Sequence, residues 1–574
     1  MPTTKTSQSI TSFHQAHSGS RTQLRPLLQK NWTFAIVLAL ATLLTCATAN
    51  AQTYSPLYTY SINSGAYSGI VVAGLVSQGR DGNLYSTIAN NGTLSKGTTF
   101  KMSLAGVPTT LYNFCTLAGC TDGAGPQSGL ILGADGNLYG TTTNGGAHND
   151  GSVFKMTPAG AITTLWSFTA GVDEGIPYYP PWQAQDGNFW GVAQPIYSGT
   201  YGVAYKMTPS GALTPFPFNY TNGSSPNLPT QGTDGNFYGT ARGGGAHGIG
   251  VVYKLTPAGV ISVLHDFAGY PTEGNQPMGQ LVQGSDGNFY GATYSGGASN
   301  VGTVFKISAS GSFTNLYSFT GWGFGDGALP YSGLTVATDG NFYGSTANGG
   351  TKNAGALYKI TPAGAVTVLY SFCAVTCNDG FYPETPMVQD TNGILYGNSS
   401  GNSLGGSVFY SLDMGLKPFA GLVTWTGKVG KTIGILGQGL TGTTSVNFNG
   451  TAAAFTVSSD TFLTATVPAG ATTGFVNVIT PSRALKSNRK FLVTPSILSF
   501  NPPSGQVGTA VVITGTSFTG ATSVSFGGVK AITFTVDSDT QITATVPTGA
   551  KTGKIQVKTA GGSATSATSF TVLP

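Results

Sequence analysis

Asp286-Gly287-Asn288-Phe289-Tyr290-Gly291 is one copy of a hexapeptide that returns along the first two-thirds of the chain. Its counterparts begin at Asp81, Asp135, Asp186, Asp234 and Asp339, with a worn seventh copy at Asn392-Gly393-Ile394-Leu395-Tyr396-Gly397. Successive starts lie 54, 51, 48, 52, 53 and 53 residues apart. A period near 50 is that of one supersecondary unit stacked on copies of itself, so the repeat constrains the architecture more tightly than any other feature.

Within one unit, residues 275–319, the pattern predicts four short strands: Gly279 to Gln283, Phe289 to Tyr294, Thr303 to Ile307 and Ser312 to Phe319. Asp-Gly and Pro-Ala-Gly supply the tight turns, because Gly accepts the positive φ a hairpin needs and Asp caps its own turn. Composition agrees, with Gly at 85 of 574 residues and charged residues at only 8%. At 40% hydrophobic residues the chain is not of disordered type. Four antiparallel strands per roughly 50 residues is a propeller blade. A strand of the fourth type, Leu57-Tyr-Thr-Tyr60, also precedes the first copy, while the seventh ends in the degenerate Leu416-Lys-Pro-Phe419. A ring must stitch its last sheet to its first, so the expectation is an all-β chain whose residues 52–419 form a seven-bladed β-propeller closed by an N-terminal strand.

The first 51 residues read as an export signal. A basic leader ending at Lys30 precedes an apolar core, Phe34 to Leu44, and small residues at Ala47-Thr48-Ala49 and Ala49-Asn50-Ala51, with cleavage expected after Ala51. An uncleaved anchor or lipid attachment at Leu43-Leu44-Thr45-Cys46 is the rival, and the long leader leaves open a start downstream of Met1. The signal implies a secreted or cell-surface protein with no later membrane span. It also explains the net charge of +5: four of the 25 basic residues precede residue 52, leaving 21 basic against 20 acidic. No basic stripe remains, which argues against nucleic acid as a partner.

Export makes the cysteines readable. Cys115 and Cys120, and Cys373 and Cys377, follow equivalent strands, Leu111 to Phe114 and Leu369 to Phe372. Even number, matching position and an oxidising address predict two local disulfides. No His lies beside either pair, as a zinc site would need.

The DGNxYG turn, the Gly-Gly loop after it, the GTVFK(I/M)TPAG strand and turn and the (L/V)YSF strand together resemble the GloVer tandem repeat of secreted bacterial choice-of-anchor proteins. That resemblance implies a repeat scaffold and little about chemistry; the third copy departs from it, with Gln194-Pro-Ile-Tyr-Ser in place of the Gly-Gly loop, as does the seventh. From Gly421 the period lengthens to about 78 residues. Val507 to Gly515, Val524 to Gly528 and Thr543 to Pro547 are echoed by Val429 to Gly437, Val446 to Gly450 and Thr464 to Pro468. Residues 420–494 and 495–574 are similar to IPT/TIG domains, which implies two immunoglobulin-like sandwiches, the first lacking the usual opening strand. The one basic cluster, Lys486 to Lys490 with Arg483 nearby, reads as a solvated linker, and the tail as a spacer or binding appendage.

Strand alternation puts the Asp-Gly-Asn and Pro-Ala-Gly turns on one face of the ring and every long loop on the other. On the long-loop face an acidic or amide residue, Gly and then Pro recur from Asp122, Glu174, Asn222, Glu273, Asp326 and Asp379. Asp122, Glu273, Asp326 and Asp379 are candidates for a hard cation, against the simpler role of capping their own turns. Aromatics cluster there too, and Trp182, Trp322, Phe324, Tyr331 and Tyr382 are the candidates for stacking on sugar rings, or for packing between blades. His148 and His247, at one position in copies two and four, are the candidates for acid and base should blades two and four bring them together across the opening. No nucleophile, base and orienter set is evident, and no Walker loop, dinucleotide fingerprint or zinc spacing occurs. The expected function is binding of an extracellular polysaccharide or surface component by a monomer without cofactor, a structural calcium ion being left open. The alternatives are a polysaccharide lyase or hydrolase on the long-loop face, and a structural adhesin or matrix protein.

Overall fold

A computed structural model of the chain describes residues 52–60, 74–169, 173, 175–195, 199–373, 377–401 and 406–574. The expected signal segment and Glu174 lie outside these residues. Among them, seven four- or five-stranded antiparallel sheets occupy Thr53 to Asp413. In the fifth, Val282–Gln283, Phe289–Gly296, Thr303–Ile307 and Phe313–Ser318 lie in that order from the axis outward, and Gly274–Pro277 pairs with the far end of Phe289–Gly296. The innermost strand is thus shorter than the run from Gly279 suggests. It is marked as innermost because the segments beside it in neighbouring sheets touch, as in the bridge between Leu75 and Gly129.

The second and third strands are apolar on both sides because each sheet is stacked between two others. Leu138–Thr142, Phe189–Ala193 and Phe342–Thr346 are buried at every position. The hexapeptide's aromatic at position five lies against the residue at position four of the next copy: Tyr139 on Phe189, Trp190 on Phe237 and Tyr238 on Phe289 at 4.1 Å between ring centres, and Tyr290 on Phe342 at 4.0 Å. Each such pair adds about 0.5–1.5 kcal/mol beyond the area it buries. Hydrophobic clusters fill all the spaces between consecutive sheets, and one of them joins Tyr396 and Phe409 of the last sheet to Leu84 and Phe100 of the first. The sheets therefore close into a ring.

Closure uses the N-terminal strand. Thr53–Tyr60 pairs with Ser407–Asp413, from Thr53 opposite Asp413 to Tyr60 opposite Ser407, and supplies the outer strand that Leu416 to Phe419 does not. A glutamine three residues before the turn aspartate adds a second seam. Gln183, Gln231, Gln283, Gln389 and Gln78 accept hydrogen bonds from the backbone of the preceding sheet at Ala134, Gln185, Thr233, Thr338 and Thr391, at 2.8–3.2 Å. Gln78 thereby makes the last-to-first junction like the others.

Two β-sandwiches follow. Gly421–Leu422 pairs with Thr432–Leu436 where the second sandwich has Ser496–Asn501, so the first sandwich retains its opening strand as a two-residue remnant. The basic cluster is not a linker: it belongs to the strand Ala484–Val493, with Lys486 over the Phe475 ring and Arg489 over Trp425. Nor is the tail a free spacer. The first sandwich sits on the tight-turn face, with Thr461 donating to the Arg80 carbonyl (2.8 Å), the Arg80 guanidinium 4.5 Å from the Phe462 ring centre, and Gln438 donating to Thr391 (3.2 Å). A cleft of about 550 Å³ between the turns of sheets three and four and both sandwiches is lined by Asp186, Asp234, Lys428, Lys431 and Lys558.

Candidate functional site

With the sandwiches on one face, the long loops dominate the other. Most of the residues singled out there prove to hold their own loops. Asp122, only 2% exposed, accepts from the Tyr112 hydroxyl (2.7 Å) and the Thr116 amide (3.0 Å). Asp326 takes the Tyr317 hydroxyl and the Thr320 amide, and Asp379 the Tyr370 hydroxyl and the Cys373 amide. Glu273 accepts from the Ala268 amide and bonds His265 Nε2, both at 3.0 Å, with His265 stacked on Phe313. In sheets one, two, four, five and six the repeat thus ties the aromatic or imidazole of the outer strand to the following turn. Among the described residues, no three His, Cys, Asp or Glu side chains lie close enough to hold a metal ion. The turn aspartates act similarly: Asp286 accepts from Asn288 (2.7 Å) and Tyr290 (2.9 Å), bonds that hold its carboxyl below the usual range although burial works against them. The disulfides Cys115–Cys120 and Cys373–Cys377 form.

His247 Nδ1 lies 2.9 Å from Asp266 on the outer strand of its own sheet, and the amide of Ala147, beside His148, donates to Ser167 at the same place in sheet two. Both exposed histidines thus sit by the outermost strands of sheets two and four, away from the central opening. Trp182 is on an innermost strand, part-buried against Phe237, and donates to the Pro229 carbonyl. Trp322 (60% exposed), Phe324 (77%), Tyr331 (39%) and Tyr382 (36%) are on the surface.

The centre of this face holds a group that sequence reasoning did not assemble. Residues at two positions of the repeat meet there: the one following the loop proline, and the one eight after the turn aspartate. Tyr331, of the first kind, has its ring 6.0 Å from that of Tyr294, of the second, at an interplanar angle of 86°. Glu384, of the first kind, accepts from the hydroxyl of Ser400, of the second (3.0 Å). The Tyr331 hydroxyl feels the charges of Glu384 and Arg242 and the hydroxyls of Tyr294 and Tyr178. Side chains from sheets three to seven can act on one another in this way only at the axis. Burial pushes the Glu384 carboxyl up, against the bond from Ser400; burial first, and then Glu384, raises Tyr331.

These positions vary from copy to copy. Eight after the turn aspartate the copies carry Ala89, Thr143, Gln194, Arg242, Tyr294, Ala347 and Ser400; after the loop proline they carry Gln127, Tyr178, Asn227, Met278, Tyr331 and Glu384. The tight-turn face is nearly uniform while the mouth is assembled from unlike groups, which is what recognition of one ligand requires. Arg242 and Glu384 were detectable by comparing copies position by position, as charges standing where the others carry small or neutral residues.

Fold and site together define a closed β-propeller with a one-off polar mouth, backed by two immunoglobulin-like sandwiches. The chain belongs to the Gloeobacter/Verrucomicrobia repeat family, which matches residues 42–194 and 177–410, and it carries two IPT/TIG domains at 420–488 and 495–572. No curated protein sequence matches it. Similar solved structures include a puromycin hydrolase (12% identity, 66% of this chain and 59% of that one, TM-score 0.40). A protein of unknown function from Dyadobacter fermentans matches at 11% identity over 62% of this chain and 98% of its own, TM-score 0.35. The surface glycan-binding protein PbSGBP-B from Prevotella bryantii matches at 23% identity over 27% of this chain and 38% of its own, TM-score 0.20. No helix among the described residues is long and apolar enough to cross a membrane.

Proposed function

We propose that this is an exported binding protein that takes an extracellular saccharide on the long-loop face, at the mouth of the ring, while the sandwiches occupy the opposite face. The observation that carries this reading is the mouth itself: Arg242, Glu384, Tyr178, Tyr294 and Tyr331, from five sheets, converge where the rest of the ring repeats. Tyrosine rings offer flat apolar faces with a hydroxyl at the edge, which suits a sugar's alternation of C–H faces and hydroxyls. Trp322 and Tyr382 extend the aromatic surface beyond the mouth. Binding rather than turnover is favoured because His148 and His247, the candidates for acid and base, lie by the outer strands, away from the mouth. A raised Glu384 carboxyl beside tyrosines also supports a second reading, acid-assisted cleavage of the bound saccharide.

The test is retention on immobilised polysaccharides. Tyr294→Ala with Tyr331→Ala weakens retention at least tenfold, and Trp322→Ala with Tyr382→Ala weakens it further. Lys428→Ala, on the sandwich side, leaves it unchanged. Retention that survives both aromatic pairs places the site elsewhere.

A further inference from the structure

We propose that the mouth selects saccharides bearing a carboxylate, with Arg242 as the residue that binds it. The inference rests on the saccharide reading above and deepens it. Arg242 closes the second strand of sheet four, where the side chain is exposed and, among the described residues, makes no hydrogen bond or ion pair. An arginine normally finds a planar acceptor, and its fixed fork of N–H groups matches a carboxylate in two parallel bonds.

The surroundings leave that fork free. Glu384, the acidic group of the mouth, is turned to Ser400 and forms no ion pair with Arg242. Two of the repeat's strand lysines, Lys101 at 3.3 Å from Asp81 and Lys206 at 3.1 Å from Asp186, lie by the turns on the other face and are paired there. Arg242 is thus an unshared cation that acts on Tyr331, whose ring stands perpendicular to that of Tyr294 and forms with it two walls of a corner. A sugar ring lying on one wall directs an equatorial carboxylate along the plane of the ring, toward the guanidinium. A neutral sugar in the same corner leaves Arg242 hydrated and gains nothing from it. The contribution of such a pair falls as salt rises, because the site is open to solvent.

The experiment measures binding of one backbone in two forms, de-esterified oligogalacturonate and its methyl ester, with a sulfated galactan oligosaccharide as a third arm. Titrations use the whole protein, wild type and the exposed-site variants Arg242→Gln and Arg242→Lys. The expected result is acid bound at least about tenfold more tightly than ester by wild type. Arg242→Gln lowers acid binding about tenfold and abolishes that preference, and Arg242→Lys restores part of it. Equal binding of acid and ester to wild type overturns the carboxylate assignment and leaves saccharide binding standing. Preference for the sulfated chain over the acid likewise overturns it, in favour of a tetrahedral anion. Failure of all three saccharides to bind at 50 mM and at about 10 mM salt, where attraction is least screened, overturns both the assignment and the reading it rests on.

Discussion

Replacing Asp390 by Asn stabilises this protein near neutral pH, and the gain disappears in acid. Six copies carry Gly or Ala two residues before the turn aspartate: Gly79, Gly133, Ala184, Gly232, Gly284 and Ala337. At Gly79 an added Cβ would stand 2.3 Å from the Tyr85 ring. In the seventh copy the turn aspartate has become Asn392, and Asp390 stands at the small-residue position to accept from the Asn392 amide (2.9 Å). The price is burial under the first sandwich: Asp390 is 1% exposed, and Oδ2 has no hydrogen-bond partner. Around it are Thr391, Tyr396 and, from the sandwich, Gln438 at 3.4 Å, with Asp413 the next carboxylate acting on Tyr396. No cation is among them. Burial therefore pushes the carboxyl from its ordinary 3.8 up to about 6, against the bonds from Asn392 and Gln438. The folded ionised form is penalised by about 3 kcal/mol. Above pH 6 both folded and unfolded chains are ionised there and the whole penalty applies; between about 6 and 3.8 the folded chain takes up the proton first and it shrinks; below 3.8 it is gone. Asp390→Asn keeps the amide's acceptor and removes the charge. Thermal unfolding of wild type and variant, followed by calorimetry from pH 4 to pH 8, should show a difference of a few degrees at pH 8 that closes by pH 4. A difference that is constant across this range, or that grows in acid, refutes the argument.

Two further substitutions probe the ring. Gly239 approaches the Tyr253 ring so closely that a Cβ would lie 2.4 Å from it, so Gly239→Ala is expected to lower stability by about 1–3 kcal/mol in denaturant unfolding. Gln78→Ala removes the hydrogen bonds to Thr391 that join the last sheet to the first, at 2.8 and 3.2 Å, and is expected to cost about 1–3 kcal/mol and to raise amide exchange in Thr53–Tyr60 and Ser407–Asp413 before other strands.

What the sequence revealed and what it concealed divide by repetition. The turns, the aromatic stacking positions and the closing strand were legible because the chain states them several times, and because a degenerate Leu416 to Phe419 beside a spare Leu57 to Tyr60 leaves a ring one way to close. The cysteine pairs were legible because each follows the same strand. The glutamine seam repeats too, but an uncharged residue on a two-residue strand carries no chemical signature of its own; its fixed distance from the turn aspartate was the available signal. Residues that act once were harder. Arg242 and Glu384 belong to no motif, and only the closure of the ring brings sheets four and seven together. Arg80, Thr461, Phe462 and Asp390 hold the first sandwich to the turns through contacts between segments up to 381 residues apart, which no local pattern encodes. The histidines misled for the opposite reason: their shared position in copies two and four suggested a pair, but the repeat sets that position beside the outer strand.

The measurement that bears most directly on the account is retention and release in one sample. Purified protein is incubated with an immobilised polysaccharide panel; bound protein is quantified, and the supernatant is assayed for new reducing and unsaturated ends. Retention on at least one polysaccharide with no new ends is the result the account predicts. Release of ends that disappears in Glu384→Gln would contradict it and make the mouth a catalytic site, and absence of retention on every polysaccharide would contradict saccharide binding itself.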